Sequence, residues 1–157
     1  ILSRIREENK KIKKVRLFDR DEVFFRSGFI MPAQGRISGV YGSQRILNGQ
    51  PRQPHFGIDI AAPSGAKVVA PADGIVVLAE ADLYFSGGTV ILDHGHGLTS
   101  AFLHLKKILV KKGDLVAQSD VLGLVGSTGR STGPHLDWRV NLFQKRIDPA
   151  LLVSKEK

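Results

Sequence analysis

A chain of 157 residues, 42% hydrophobic and 24% charged, sets the expectation of one domain with a short extension, and no run approaches the roughly 18 apolar residues of a helical membrane span. It contains no cysteine, which excludes disulfide scaffolds, thiolate metal sites and cysteine nucleophiles. The formal net charge is +8, yet Ile1 to Arg20 holds eight Lys or Arg against three Asp or Glu, so most of the excess sits on the leading segment, not on a domain surface shaped to read nucleic acid.

That leading segment comes first in the chain. Residues 3–16 read as a polar, basic helix or a frayed tail, with Ile1, Ile5 and Ile12 as a weak apolar stripe. Its charge suits a solvated face or attraction to an anionic polymer or membrane surface. The chain opens on Ile1 and lacks the apolar core of a signal peptide, and is read as a piece excised or processed from a longer protein. A connector follows, with Phe24, Phe25 and Phe29 leading to Met31 and Pro32. From Gln34 the composition turns to glycine and β-branched residues, so the expected division is a basic helix or linker over 1–33, a β-rich domain over 34–153 and a tail over 154–157.

Within the domain, strand-like runs recur at 57–61, 67–70, 74–79, 89–93, 99–105, 121–125 and 135–140. Separators such as Pro-Ser-Gly and Lys-Lys-Gly-Asp punctuate them, and no long amphipathic helix interrupts. The pattern predicts a mainly β fold, a sandwich or a folded antiparallel sheet.

Strand alternation then sorts the histidines. In H-F-G-I-D, His55, Gly57 and Asp59 share one face. In H-L-D-W-R-V, His135 and Asp137 share one face, and Leu136, Trp138 and Val140 the other. His104 is expected on the face opposite Ala101, Leu103 and Leu105. Imidazole and carboxylate on polar strand faces are suitable zinc ligands, although such spacings also arise by chance. His94 and His96 stand in the glycine-rich turn D-H-G-H-G and read as structural or supporting residues. The loop from Gly126 to Gly133 lacks the ending of a phosphate loop and reads as a turn feeding the His135 strand.

Three blocks, H-F-G-I-D-I-A-A-P, L-D-H-G-H-G-L-T-S-A-F-L-H-L and G-S-T-G-R-S-T-G-P-H-L-D-W-R-V, closely resemble the lysostaphin-type, or LytM-domain, zinc metallopeptidases. The resemblance runs in order from about Gly35 to Leu152 and makes 34–153 a peptidase domain of the LytM (duplicated hybrid motif) type around a groove. It implies that His55 and Asp59 ligate one zinc ion and that His104 and His135 act in catalysis. The family's third ligand is a histidine, and Asp137 holds that place here. One histidine with two carboxylates would cancel the charge of the ion, make its water a poorer acid, and tolerate manganese or cobalt more readily. The implied function is zinc-dependent hydrolysis of peptide bonds in peptidoglycan cross-links or stems. The alternative is an inactive LytM-domain regulator that activates another cell-wall hydrolase; a wall-binding module that keeps only the fold is a weaker third. The implied partners are a peptidoglycan peptide and an upstream autoinhibitory segment or envelope protein, with no nucleic acid. The implied location is the bacterial envelope, in the periplasm.

Overall fold

The computed structural model of the chain describes residues 1–42, 45–47, 50–52 and 55–153. The expected tail at 154–157 lies outside the described residues. Helix α1 spans Leu2–Arg16. The strands are β1 (Ile37–Gly39), β2 (Arg45–Leu47), β3 (Gln50–Arg52), β4 (Ile58–Ile60), β5 (Lys67–Val69), β6 (Gly74–Leu83), β7 (Gly87–Asp93), β8 (Leu98–Ile108), β9 (Leu115–Val116), β10 (Val121–Val125), β11 (Leu136–Leu142) and β12 (Lys145–Ile147). No helix among the described residues is long and apolar enough to cross a membrane.

Ten strands form one antiparallel sheet. Its main path is β1-β4-β11-β8-β7-β6-β9, with β12 on β11 and with β10 joining β5 to β8. β2 and β3 make a separate ribbon. The mainly β expectation is borne out, and each predicted strand-like run overlaps a strand. β1, β9, β12 and the ribbon were not predicted: they are two or three residues long, too short to show an alternating pattern.

The sheet buries side chains on both faces. Ile58 and Ile60 of β4, Val90 and Leu92 of β7, and Leu136, Trp138 and Val140 of β11 enter the main core. The connector joins them there, with the Phe29 ring stacked on Trp138 at 6.5 Å between centroids. On the other face Leu78, Leu83, Ile91, Ala101 and Leu103 form a smaller cluster, covered by Ile12 and Val15 of α1. Helix docking therefore rests on Ile12 and Val15, with half-buried Ile5 on the same side, while Ile1 stands 78% exposed, so the expected stripe keeps Ile5 and Ile12 and loses Ile1. Lys13, Lys14 and Arg16 in the last turn complement the helix dipole.

One alternation expectation fails. Ala101 and Leu103 belong to the small cluster, but Leu105 belongs to the main core with Phe102. Between the pairs Gly88–Leu105 and Val90–Phe102, β8 advances one residue more than β7. This bulge carries His104 at φ +66°, and it resets the side-chain alternation beyond it.

Candidate active site

The register of four strands places the polar groups in one row. Gly39 of β1 pairs with Asp59 of β4, Asp59 with Asp137 of β11, and Asp137 with Leu103 of β8, next to the bulged His104. Two carboxylates facing each other directly across a ladder repel unless positive charge stands beside them. His55, Asp59 and Asp137 each bring a ligand atom into one group within 4.8 Å of one another. His55 is buried, and its Nε2 lies 3.1 Å from Asp59 Oδ1.

Two glycines keep space beside these carboxylates. A Cβ on Gly39 would stand 2.6 Å from Asp59 Oδ2, and one on Gly57 would stand 3.0 Å from Asp137 Oδ1. The donor set is one imidazole and two carboxylates in a cradle that side chains would fill. It fits a divalent ion of the zinc class.

The remaining histidines fall into two groups. His104 and His135 sit side by side, with ring centroids 5.2 Å apart, and His135 Nε2 is 3.7 Å from Asp59 Oδ1. His104 Nδ1 donates to the Thr128 carbonyl at 2.7 Å, and His135 Nδ1 donates to the Gly133 carbonyl at 2.9 Å. Each bond fixes a tautomer whose Nε2 carries the lone pair. Burial pushes the His104 imidazole below its ordinary range, more than the Thr128 bond and the Asp137 charge raise it, so it is neutral at pH 7. His94 and His96 do not join the site. His94 bridges the Asp73 carbonyl and Ser100 Oγ at 2.7 and 2.8 Å, and His96 Nε2 meets the Asp21 carbonyl at 2.9 Å.

The loop between β10 and β11 holds the acceptors. Thr128 Oγ1 donates to the Leu105 carbonyl at 2.8 Å and accepts from the Gly88 amide at 2.9 Å. Gly87 at φ +64° lets the loop close, since a Cβ there would fall 2.4 Å from Thr128. The turn reading of Gly126–Gly133 thus understated the loop: it sets the orientation of both histidines.

Two further features were not read from the sequence. Arg139 grips Asp137 with both ends of its fork, Nε to Oδ1 at 3.1 Å and Nη2 to Oδ2 at 2.9 Å. Alternation places Arg139 two residues beyond Asp137 on the same face, which was the available signal. The second feature is α1, whose Ile12, Lys13 and Arg16 line one wall of the groove of about 840 Å³ that contains Asp59, Asp137, His104 and His135.

A model of peptidase family M23 matches residues 53–149. The peptidoglycan DD-endopeptidase ShyA of Vibrio cholerae is 38% identical over 130 residues, covering 78% of this chain and 30% of its own length. The crystal structure of a candidate peptidase M23 from Pseudomonas aeruginosa superposes with a TM-score of 0.85 at 37% identity, covering all of this chain and 63% of that one. A zinc-containing peptidase from Vibrio cholerae superposes with a TM-score of 0.72 at 34% identity, covering 77% of this chain and 39% of that one. The chain spans a third or less of the length of the curated relatives it matches. With the family model matched over more than half of its residues, in the same blocks that carry the sequence resemblance, the chain belongs to peptidase family M23.

Proposed function

We propose that this chain hydrolyses peptide bonds of bacterial peptidoglycan as a metal-dependent endopeptidase, with a zinc ion held by His55, Asp59 and Asp137. The observation that carries the reading is the convergence of those three residues within 4.8 Å beside two histidines whose Nδ1 atoms are already committed. The kinship to a zinc-containing peptidase and to a peptidoglycan DD-endopeptidase supports the ion and the substrate. The same kinship supports work in the cell envelope, on its periplasmic side. The oxygen-rich donor set extends tolerance to manganese or cobalt.

When bound, the ion supplies Lewis-acid polarisation of the scissile carbonyl and activation of a water. The chain's own groups do the rest. His104 and His135 both direct an Nε2 lone pair into the groove, where one accepts the proton of the attacking water and, as the imidazolium so formed, donates it to the leaving amine, while the other accepts a hydrogen bond from that water and orients it. Arg139 holds both oxygens of Asp137 in a fixed plane while each keeps a lone pair. It also returns one positive charge to the site. The charge count from the three ligands alone, with its poorly acidic water, therefore leaves out a neighbour that restores the balance of the family's two-histidine set.

Zinc titration of the metal-stripped protein, beside Asp137→Ala, tests the reading together with cleavage of purified sacculi analysed by mass spectrometry. One ion bound tightly, weakened by the substitution, and new peptide termini in the digest are the expected results. Unchanged affinity in Asp137→Ala removes that residue from the ligand set. No specific binding turns the protein into the inactive regulator of the alternative.

A further inference from the structure

The groove carries more positive charge than the chain itself balances. Arg16 reaches it from the C-terminal end of α1, Arg139 from β11, and Arg146 from β12, with Lys13 and Arg130 at its margins. Arg139 is engaged with Asp137. Among the described residues, no carboxylate forms an ion pair with Arg16, Arg130 or Arg146.

Arg16 is the telling member. It is half-buried, and its Nε is shielded from solvent without a hydrogen-bond partner. Burial and the charges of Arg146 and Arg139 pull its guanidinium down to about 10. Arg146 is steadied over the Phe56 ring, 4.6 Å from its centroid. Guanidinium groups repel when they converge with no anion between them. A half-buried fork with a free donor, facing two like charges, is arranged for an anion from outside the chain.

We propose that this end of the groove is a subsite for a free carboxylate of the substrate peptide, bound by Arg16 and Arg146. The inference rests on the peptidase reading, because it takes the groove's occupant to be a peptide. It makes α1 a wall of the substrate site. A carboxylate suits the fork bidentately, and stem peptides offer carboxylates near their cross-links.

The test uses two cross-linked peptides that differ only in a free carboxylate or a carboxamide beside the scissile bond. Their kcat/KM is measured with the zinc-loaded protein, and their Kd with the metal-stripped protein. Wild type favours the carboxylate by about tenfold, the worth of one charge-assisted hydrogen bond. Arg16→Gln and Arg146→Gln each bring the ratio close to one, while Lys11→Gln, on the far side of α1, keeps it. Arg146→Gln stands on a strand, so it decides the matter should Arg16→Gln disturb the helix. Equal handling of the two peptides by wild type, or a ratio that survives both substitutions, overturns the subsite. An equal gain on both peptides in Arg16→Gln makes Arg16 part of a cover and also overturns it. Cleavage of neither peptide, with a Kd preference that Arg16→Gln abolishes, keeps the subsite and removes the peptidase reading.

Discussion

His94 and His104 have much in common, and their differences locate the chemistry. Both are buried, both give or share Nδ1 with a backbone carbonyl at 2.7 Å, and burial depresses both. His94 closes its second nitrogen on Ser100 Oγ at 2.8 Å and packs edge-on against Phe29. His104 has no such partner for Nε2 among the described residues and stands on a left-handed bulge that turns it into the groove. A histidine with both nitrogens satisfied is a bolt. One with a single nitrogen pinned is available for proton transfer.

The sharpest break in this comparison is a pair of alanine substitutions. His104→Ala is expected to lower peptide cleavage by about 10²–10⁴-fold, the usual worth of a general acid–base group, and to leave zinc affinity and the urea midpoint close to wild type. His94→Ala is expected to do the reverse. It strands the Asp73 carbonyl and the Ser100 hydroxyl in a sealed place, costing about 3 kcal/mol in urea denaturation, while the folded fraction cleaves normally. Equal losses of activity from both would erase the distinction.

The next effect is on acid stability. Burial lowers His94 from 6.5 to about 4, more than the Asp73 bond raises it. Between those values the unfolded chain binds a proton that the folded chain refuses. Stability therefore rises with pH across this window and falls by about 3 kcal/mol as pH drops through it. His94→Gln should flatten that limb. A limb of unchanged steepness would assign acid unfolding to other groups.

Sequence alternation made one side of this comparison legible and not the other. His135 and Asp137 fell on the face opposite Leu136, Trp138 and Val140, because β11 is regular there and those three residues are all core. The three-block resemblance likewise located the groove. His104 was placed by the same rule on a strand that breaks it, since the extra residue on β8 is fixed by pairing with β7 and leaves no mark in a single strand's pattern. Thr128 and Arg16 were illegible for a related reason. Their roles come from segments distant in sequence, a loop bonded to β7 and β8 and a helix laid over the sheet. Arg139 was legible by spacing, but the search was confined to ligand types.

A smaller effect is expected from the loop that pins His104. Gly87→Ala places a methyl group 2.4 Å from Thr128 at a φ that disfavours alanine, so the loop must shift. The acceptor of His104 Nδ1 moves with it, and cleavage should fall by about 10–100-fold with the His94 acid limb unchanged. Wild-type cleavage in this variant would mean that the Thr128 bond does not position the histidine.

The smallest effect concerns what encloses the two histidines. Core strands seal His94, whereas the wall beside His104 is α1, held by Ile12 and Val15 and by pairs such as Lys11–Glu80 at 2.7 Å. Lys11 and Glu80 are 52% and 37% exposed, so solvent screens their attraction. Lys11→Ala should cost less than about 1 kcal/mol and lose even that at high salt. Ile12→Ala removes apolar cover from Ile91, Ala101 and Leu103 and should cost more, speeding hydrogen exchange in α1 while leaving the strands around His94 protected. A Lys11→Ala cost that exceeds that of Ile12→Ala would mean that charge, not apolar contact, fastens this wall of the groove.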